Sequence, residues 1–456
     1  LTGQTGRRGS QSSSGINRAW DNKWFCQSAE EANAWTLEMA IPFKSLRYAE
    51  KNIWGINFIR SDAATNSYHT WSPVPVQFRG VDLGYTGAMQ WEQTPAKTPG
   101  NISLIPYTSY ATSVDYEEGI PSSQSFGVGG DAKVAITSSL NLDVTINPDF
   151  SQVEVDEQVT NLTTVNVRFP ERRLFFLENS DVFSDFGIPP MRPFFSRRIG
   201  LDEDGNTIPI AFGARLSGNI NKDLRIGAMN MHTREVNATP GQNYTVLSFH
   251  QRVLSRSTIK GYFHNRTAYT DGSFRSDDFN RNAGLELEYR STDGRWRGFA
   301  GYGKSFTDQF QNQNYFYNLG IGYDGRHISA YTNLAGIGNR YVADIGFLPR
   351  MEHYDAIRDT TFILGFDHWF SRFSYTFYPT GGRVNAHVVG LRSILDITED
   401  NRLIGHELEG SYELRMSNSS SLIASYNHQE VNLLFPFAFT EEEPLPTGQY
   451  GFDSFG

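Results

Sequence analysis

Residues Asn147 to Gly200 read NPDFSQVEVDEQVTNLTTVNVRFPERRLFFLENSDVFSDFGIPPMRPFFSRRIG, and the fold depends on what can surround them. Eight acidic side chains and six arginines stand here among aromatic rings, with prolines at 148, 170, 189, 190 and 193. On either side the chain is a series of alternating polar and apolar runs. A segment carrying both signs of charge and large rings needs a surface that supplies counter-charges and hydrogen bonds. The interior of a wide β-barrel is such a surface, and a soluble hydrophobic core is not.

The residues just before this stretch read as barrel wall. Leu140, Leu142, Val144 and Ile146 alternate with Asn141, Asp143, Thr145 and Asn147, which gives one face for lipid and one for a wet lumen. Val134 and Ile136 form an earlier apolar set across a tight turn at Ser138-Ser139. Beyond the segment the period of two resumes. Ile208–Gly218 pairs with Leu224–His232, and Tyr244–Leu254 with Ser257–His264. Gly284–Arg290 pairs with Trp296–Phe306, and Tyr315–Tyr323 with His327–Leu334. Short turns join the partners, and longer polar links at Thr233–Asn243, Ala268–Asn280 and Thr307–Asn314 separate the pairs. That alternation matches the short periplasmic turns and long external loops of outer-membrane barrels. Later strands are expected at Phe362–Phe366, Phe373–Tyr378, Val384–Leu391, Ile404–Leu414 and Leu422–His428. The total comes to roughly sixteen or more.

Composition agrees with this reading. Hydrophobic residues make up 39 % of 456, and no run of eighteen apolar residues occurs, so transmembrane helices are excluded. A barrel strand needs only every second residue apolar and escapes that test. An aromatic content of 14 % suits the girdles of an outer-membrane barrel. The net charge of −10 without a polybasic run argues against nucleic acid as a partner. Cys26 is the only cysteine, which rules out an internal disulfide and multi-cysteine metal sites. The chain opens at Leu1 without methionine or h-region and stops at Gly456 in a Gly/Phe-rich stretch. A fragment lacking its signal peptide and its last barrel strands is the expectation.

Four phrases carry a family resemblance: Asn147-Pro-Asp-Phe-Ser-Gln-Val-Glu154, Phe169-Pro-Glu-Arg-Arg173, Phe175-Phe-Leu-Glu178 and Phe195-Ser-Arg-Arg-Ile-Gly200. In this order they resemble an uncharacterised family of bacterial outer-membrane proteins. Its members couple an N-terminal domain similar to family-nine carbohydrate-binding modules to a C-terminal β-barrel. The resemblance implies an address in the Gram-negative outer membrane, with outer-membrane lipid as partner, and implies no activity.

Residues 1–91 fit such a module in part. The phrases Trp35-Thr-Leu-Glu-Met-Ala-Ile-Pro-Phe43, Trp54-Gly-Ile-Asn57 and Trp71-Ser-Pro73 are similar to the C-terminal half of a family-nine-like β-sandwich. Trp24, Trp54 and Trp71 are the candidates for stacking on a sugar ring; the alternative is that these indoles fill the sandwich core. The linker Glu92–Gly100 is polar and Pro-containing. The organisation expected is therefore all-β: a partial sandwich over 1–91, a linker over 92–100, and a large antiparallel transmembrane barrel over 101–456. A lumenal insert is expected at 149–200.

Within the insert, Glu154, Asp156, Glu157, Arg168, Glu171, Arg172, Arg173, Glu178, Arg197 and Arg198 are expected to form a lumenal charge network, because mid-bilayer charges cost about 2–4 kcal/mol on the lipid face. Asp143, Arg215 and Glu286 are the expected partners on the wall, and the Phe175-Phe176 and Phe194-Phe195 pairs are expected to pack against it. A glycosidase acid pair needs a geometry that spacing alone cannot supply. Asp202-Glu-Asp-Gly-Asn206 lacks the terminal Glu and helices of an EF-hand and reads as a solvated turn. No zinc-protease, Walker, nucleophile-elbow or dinucleotide-binding motif occurs, and neither metal nor cofactor is expected. The leading function is a non-enzymatic outer-membrane protein for anchoring, uptake or assembly, with glycan and other outer-membrane or periplasmic proteins as further partners. The alternatives are a component of a secretion or assembly complex, and an accessory part of a polysaccharide-degrading hydrolase.

Overall fold

The computed structural model describes residues 4–5, 16–17 and 24–456, apart from 33, 44–45, 47, 49, 63–66, 76–79, 97–101, 116–119, 138, 149–168, 189–190, 203–206, 237–238, 311, 349–350, 419 and 439–442. The described part of 1–91 consists of β-ladders, each of two strands. β1 (Gln4–Thr5) pairs with β2 (Ile16–Asn17), and β3 (Phe25–Glu30) with β4 (Trp35–Ala40). β5 (Ile53–Ile56) pairs with β8 (Gly87–Gln90), enclosing the pair β6 (Ile59–Asp62) and β7 (Ser67–Thr70).

The remainder forms one antiparallel sheet of sixteen strands. β9 (Ile102–Asp115), β10 (Ile120–Ala135) and β11 (Leu140–Ile146) precede the charged segment. α1 (Leu174–Leu177) and α2 (Ser180–Ser184) lie within it. Then follow β12 (Ile210–Asn219), β13 (Leu224–Thr233), β14 (Gly241–Val253), β15 (Ser257–Thr270) and β16 (Ser273–Arg290). β17 (Trp296–Phe306), β18 (Tyr315–Asp324) and β19 (Ile328–Ile337) continue the series. A small hairpin, β20 (Glu352–Asp355) with β21 (Thr360–Ile363), interrupts it. β22 (Phe366–Phe377), β23 (Val384–Thr398), β24 (Leu403–Met416), β25 (Ser421–Leu433) and β26 (Gly448–Phe455) complete it. Apart from that hairpin, every strand pairs with its neighbours in sequence, an up-and-down meander.

The faces are inside out relative to a soluble sheet. Arg215, Ser217, His264, Lys260, Asn282 and Asn318 are buried, whereas Leu285, Leu319, Ile321, Trp369 and Val389 are exposed. Alternation places the two sets on opposite faces. The buried face carries residues 169–201, and the sheet must curl around them as a barrel wall. Glu178 meets Lys133 on β10, and Phe316 on β18 packs with Ile188. Eight inter-strand spacings separate those strands, about 38 Å if laid flat. The chain from Glu178 to Ile188, partly helical, reaches only about 25 Å.

Two expectations need correction. Ala268–Asn280 is not a loop: β15 and β16 continue through it and meet at Asp271-Gly272, both in the left-handed region (φ 51° and 74°). Such a two-residue connection matches the strand twist. Arg275 and Asp277 pair with each other on one face and Asp278 pairs with Arg266 on the other, so neither face of this extension is apolar and the alternation signal vanishes while the ladder persists. Phe362–Phe366 is split between β21 and β22. Gly365 lies so close to its neighbours that a Cβ there would sit 2.3 Å from the Ile337 carbonyl oxygen. The Gly/Phe-rich end forms β26 against β25, a strand beyond those expected from sequence.

Candidate functional site

The segment enters from the end of the sheet that carries the longer connections, since β11 stops at Ile146 and β12 starts at Ile210 on that side. Its described part, from Phe169 on, lies along the inner face, with Glu178 and Asp181 bound near the short-turn end. Asn179 turns the chain between α1 and α2 with φ 49°, a conformation Asn tolerates better than most residues. Its amide donates to Ser217 Oγ at 3.1 Å.

Glu178 is bound by two wall strands: Lys133 Nζ makes an ion pair with it, and Asn141 Nδ2 donates to its Oε1 at 3.0 Å. Arg215 donates from Nη1 to the Glu178 carbonyl at 2.8 Å and from Nη2 to Asp143 Oδ2 at 2.8 Å. Further down, Arg225 grips Asp181 bidentately at 2.6 and 3.1 Å, the strong geometry for a guanidinium and a carboxylate.

The deepest cluster gathers around Lys260. Its Nζ donates to the Asp185 carbonyl at 2.5 Å and to Glu288 Oε1 at 2.6 Å, with Glu286 at 3.3 Å and the Asp185 carboxylate at 3.4 Å. Glu286 also accepts the Gly187 N–H at 2.6 Å. Gly187 has φ +69°, and a Cβ there would meet the Met191 carbonyl oxygen at 2.4 Å, so only glycine presents its N–H this way. Arg192, buried, donates to the Phe186 and Gly187 carbonyls at 2.9 and 3.3 Å.

Three carboxylates therefore face two cations in a dry site. Burial pushes the Asp185 carboxyl up to about 7, against the pull of Lys260 and with help from Glu288. Asp181 behaves oppositely: burial alone would raise it, but Arg225 holds it below the usual carboxylate range. Glu171 is likewise held low against burial, by Arg173 and the Ser196 hydroxyl.

Apolar contacts lock the same segment. Phe176, Val182, Phe183, Phe194 and Ile199 pack with Met229, Met231, Tyr244 and Val246 of the wall. Ile188 and Met191 pack with Phe316, Ile337 and Phe366. Each such burial is worth about 1.5–3 kcal/mol, so this inner face is a core as well as a polar surface. Phe175 leans on Phe176, and Phe195 on Phe347 (ring centroids 5.2 and 5.5 Å).

Of the residues singled out in sequence, Glu154, Asp156, Glu157 and Arg168 lie outside the described residues. Glu171 pairs with Arg173 at 2.8 Å. Arg173 also donates to the carbonyls of Ile199 and Ser196 at 2.9 and 2.6 Å. Arg197 donates to the Pro170 carbonyl at 2.8 Å, and Arg172 donates its backbone N–H to Glu171. Arg198, in the last turn of the 3-10 helix Ser196–Arg198, acts electrostatically on the Asp344 carboxylate. Glu178, Asp143 and Arg215 meet as described above, and Glu286 joins the Lys260 cluster instead. Asp181, Asp185, Arg192, Arg225, Lys260 and Glu288 escaped the sequence reading. The signal for the wall residues was their parity with Asp143 and Arg215; for Asp181 and Asp185 it was their place in the same charged stretch.

The tryptophans separate. Trp54 sits in a cluster with Phe43, Tyr48 and Trp91, with ring centroids 4.9–6.0 Å apart. Trp71 touches Phe58 edge-on at 6.0 Å yet stays 59 % exposed. Trp24 is half-buried. Among the described residues no group of His, Cys, Asp and Glu is arranged to hold a metal ion.

Fold and segment together define an all-β protein built on a large up-and-down antiparallel sheet. Residues 98–211, which span the first wall strands and the segment, match a family described as a domain of unknown function, DUF5916. Among solved structures, the crystal structure of a BenF-like porin from Pseudomonas fluorescens Pf-5 is similar at 11 % identity and a TM-score of 0.24. It covers 78 % of this chain and 98 % of the porin chain. No curated protein matches.

Proposed function

We propose that this chain is an outer-membrane β-barrel whose lumen is narrowed by residues 169–201, with the 1–91 unit as a ligand-recognition module. The observation that carries the reading is the anchoring of one segment along the inner face, from Ile345 near the long-loop end to Arg225 near the short turns. A segment held by buried ion pairs and an apolar core is a plug or constriction, and no nucleophile or paired acid site is needed to explain it. Apolar side chains on the other face suit lipid.

The module belongs on the short-turn side. Arg256, in the β14–β15 turn, lies over the Tyr85 ring at 5.9 Å, and short turns are periplasmic in such barrels. Exposed Trp71 favours a glycan there. A second reading, a component of an assembly complex, draws on the β3–β4 hairpin, where Trp35, Leu37 and Met39 are all exposed.

Planar-bilayer conductance tests the main reading. The wild type should conduct weakly, and replacing residues 171–199 by a flexible linker should raise conductance severalfold. Equal conductance, with the variant still showing heat-modifiable mobility, would remove the plug role.

A further inference from the structure

The outer face carries a groove that the segment and its anchors do not explain. It spans β13 to β17 with a volume of about 760 Å³. Its walls are Leu247, Phe249, Phe263 and Leu285, all exposed. Its floor is formed by short residues, notably Gly261 and Ala283. Phe249 and Leu285 both lean over Gly261, where a Cβ would meet them at 2.3 and 3.0 Å. The groove is therefore an apolar slot between large side chains.

One end of the slot is cationic. Lys304 stands opposite Ala283 in the β16–β17 register, and Arg281 is two residues along on the same face. Sheet geometry puts such diagonal neighbours about 7–8 Å apart. Lys304 enters no ion pair among the described residues, and Arg281 is held only by Asn265 Oδ1 at 3.1 Å and by the Phe279 ring at 4.4 Å. Among the described residues no carboxylate pairs with either. The band turns polar at the same level: Asn230 donates to Thr245 Oγ1 at 2.9 Å on the same outer face. β17 leads here into the 307–314 connection, so this is the long-loop edge of the apolar band.

We propose that this slot is a binding site for one anionic, phosphate-bearing lipid, its acyl chain between Phe249 and Phe263 and its phosphate against Lys304 and Arg281. Charge complementarity selects the occupant. Two unneutralised cations at the rim of an apolar slot match a molecule with a phosphate joined to a hydrocarbon chain. A zwitterionic lipid offers no net charge to them.

The test uses the full chain in nanodiscs holding equal amounts of phosphatidylglycerol and phosphatidylcholine, with bound lipid counted by native mass spectrometry. The wild type should retain phosphatidylglycerol preferentially. Lys304→Gln and Arg281→Gln should each cut that preference about fivefold, the effect expected for one cation near an anionic headgroup. Ala283→Phe should fill the slot and lower retention of both lipids. All three changes are on the outer surface, and heat-modifiable mobility checks the fold. Equal retention of the two lipids by the wild type overturns the proposal, as does preference unchanged in both glutamine variants. Displacement of the lipid by millimolar inorganic phosphate would mean that the cations take phosphate alone, and would overturn it too.

Discussion

Arg215 and Asp143 face each other across adjacent strands, 2.8 Å from Nη2 to Oδ2, and Arg215 uses its other terminal nitrogen on the Glu178 carbonyl. One guanidinium thus ties two strands of the wall to the segment at once. At 2 % exposure it has no water to replace either partner. Arg215→Met should therefore destabilise the barrel by about 3–5 kcal/mol, because it leaves a buried carboxylate short of its partner. Adding Asp143→Leu should recover much of that loss. Denaturant midpoints of the refolded protein in detergent read both numbers; additive losses in the double variant would disprove the coupling.

The proton on Asp185 makes segment docking depend on pH. Lys260, Glu286 and Glu288 face this carboxyl from the wall, and Arg192 from its own segment; Asp181, Arg225 and His250 stand one turn away. A carboxyl pushed up to about 7 binds its proton more tightly docked than free. Its stabilising contribution is complete below the ordinary carboxylate range and is lost as pH rises through about 7. Asp181 and Glu171, held low, stay ionised until the pH falls below that range, so the window from about 5 to 8 reports on Asp185 together with Glu288, the half-buried carboxyl that shares Lys260 with it. Protection factors over residues 176–194, with the base-catalysed intrinsic exchange rate divided out, should be higher at pH 5 than at pH 8, and Asp185→Asn should shrink the difference. Lower protection at pH 5 would refute the assignment.

The indoles of the N-terminal unit should respond in opposite ways. Trp54 is wedged among Phe43, Tyr48 and Trp91, and Trp54→Ala should cost about 3 kcal/mol of that unit's stability. Trp71, largely exposed, should cost about 1 kcal/mol or less and instead weaken retention on a glycan array. A melting curve beside an array separates the cases. If the wild type binds no glycan, the sugar reading falls.

Much of this fold was legible because alternation is a direct imprint of a wall wet on one side. Asp143, Arg215 and Glu286 were marked as wall partners by parity alone. Where parity carried no contrast, the reading failed. β15 and β16 run on past Ala268 with polar residues on both faces, and the pattern there looks like a loop. The inner face also defeated the simple polar expectation: Met229 and Met231 alternate with Ala228 and Asn230, and only the packed segment shows that the methionines point inward. The Asp185 cluster was illegible for another reason, since Lys260, Glu286 and Glu288 lie far from it in sequence and only the curl of the sheet brings them together.

The charges of the segment divide into two jobs, and conductance should tell them apart. Arg173 bonds to Glu171 and to the carbonyls of Ser196 and Ile199, so it holds the segment's own shape. Asp181 and Asp185 bond to Arg225 and Lys260, so they hold the segment to the wall. Asp181→Asn with Asp185→Asn strips charge from the attachment while keeping side-chain volume, and should raise single-channel conductance and shorten closed times. Replacing Arg172, Arg173, Arg197 and Arg198 by alanine should instead leave Asp181 and Asp185 on their anchors. Its effect on conductance should be smaller, with protease sensitivity rising around residues 170–173. If the arginine variant opens the channel and the asparagine variant does not, the wall anchors are not what holds the segment in place.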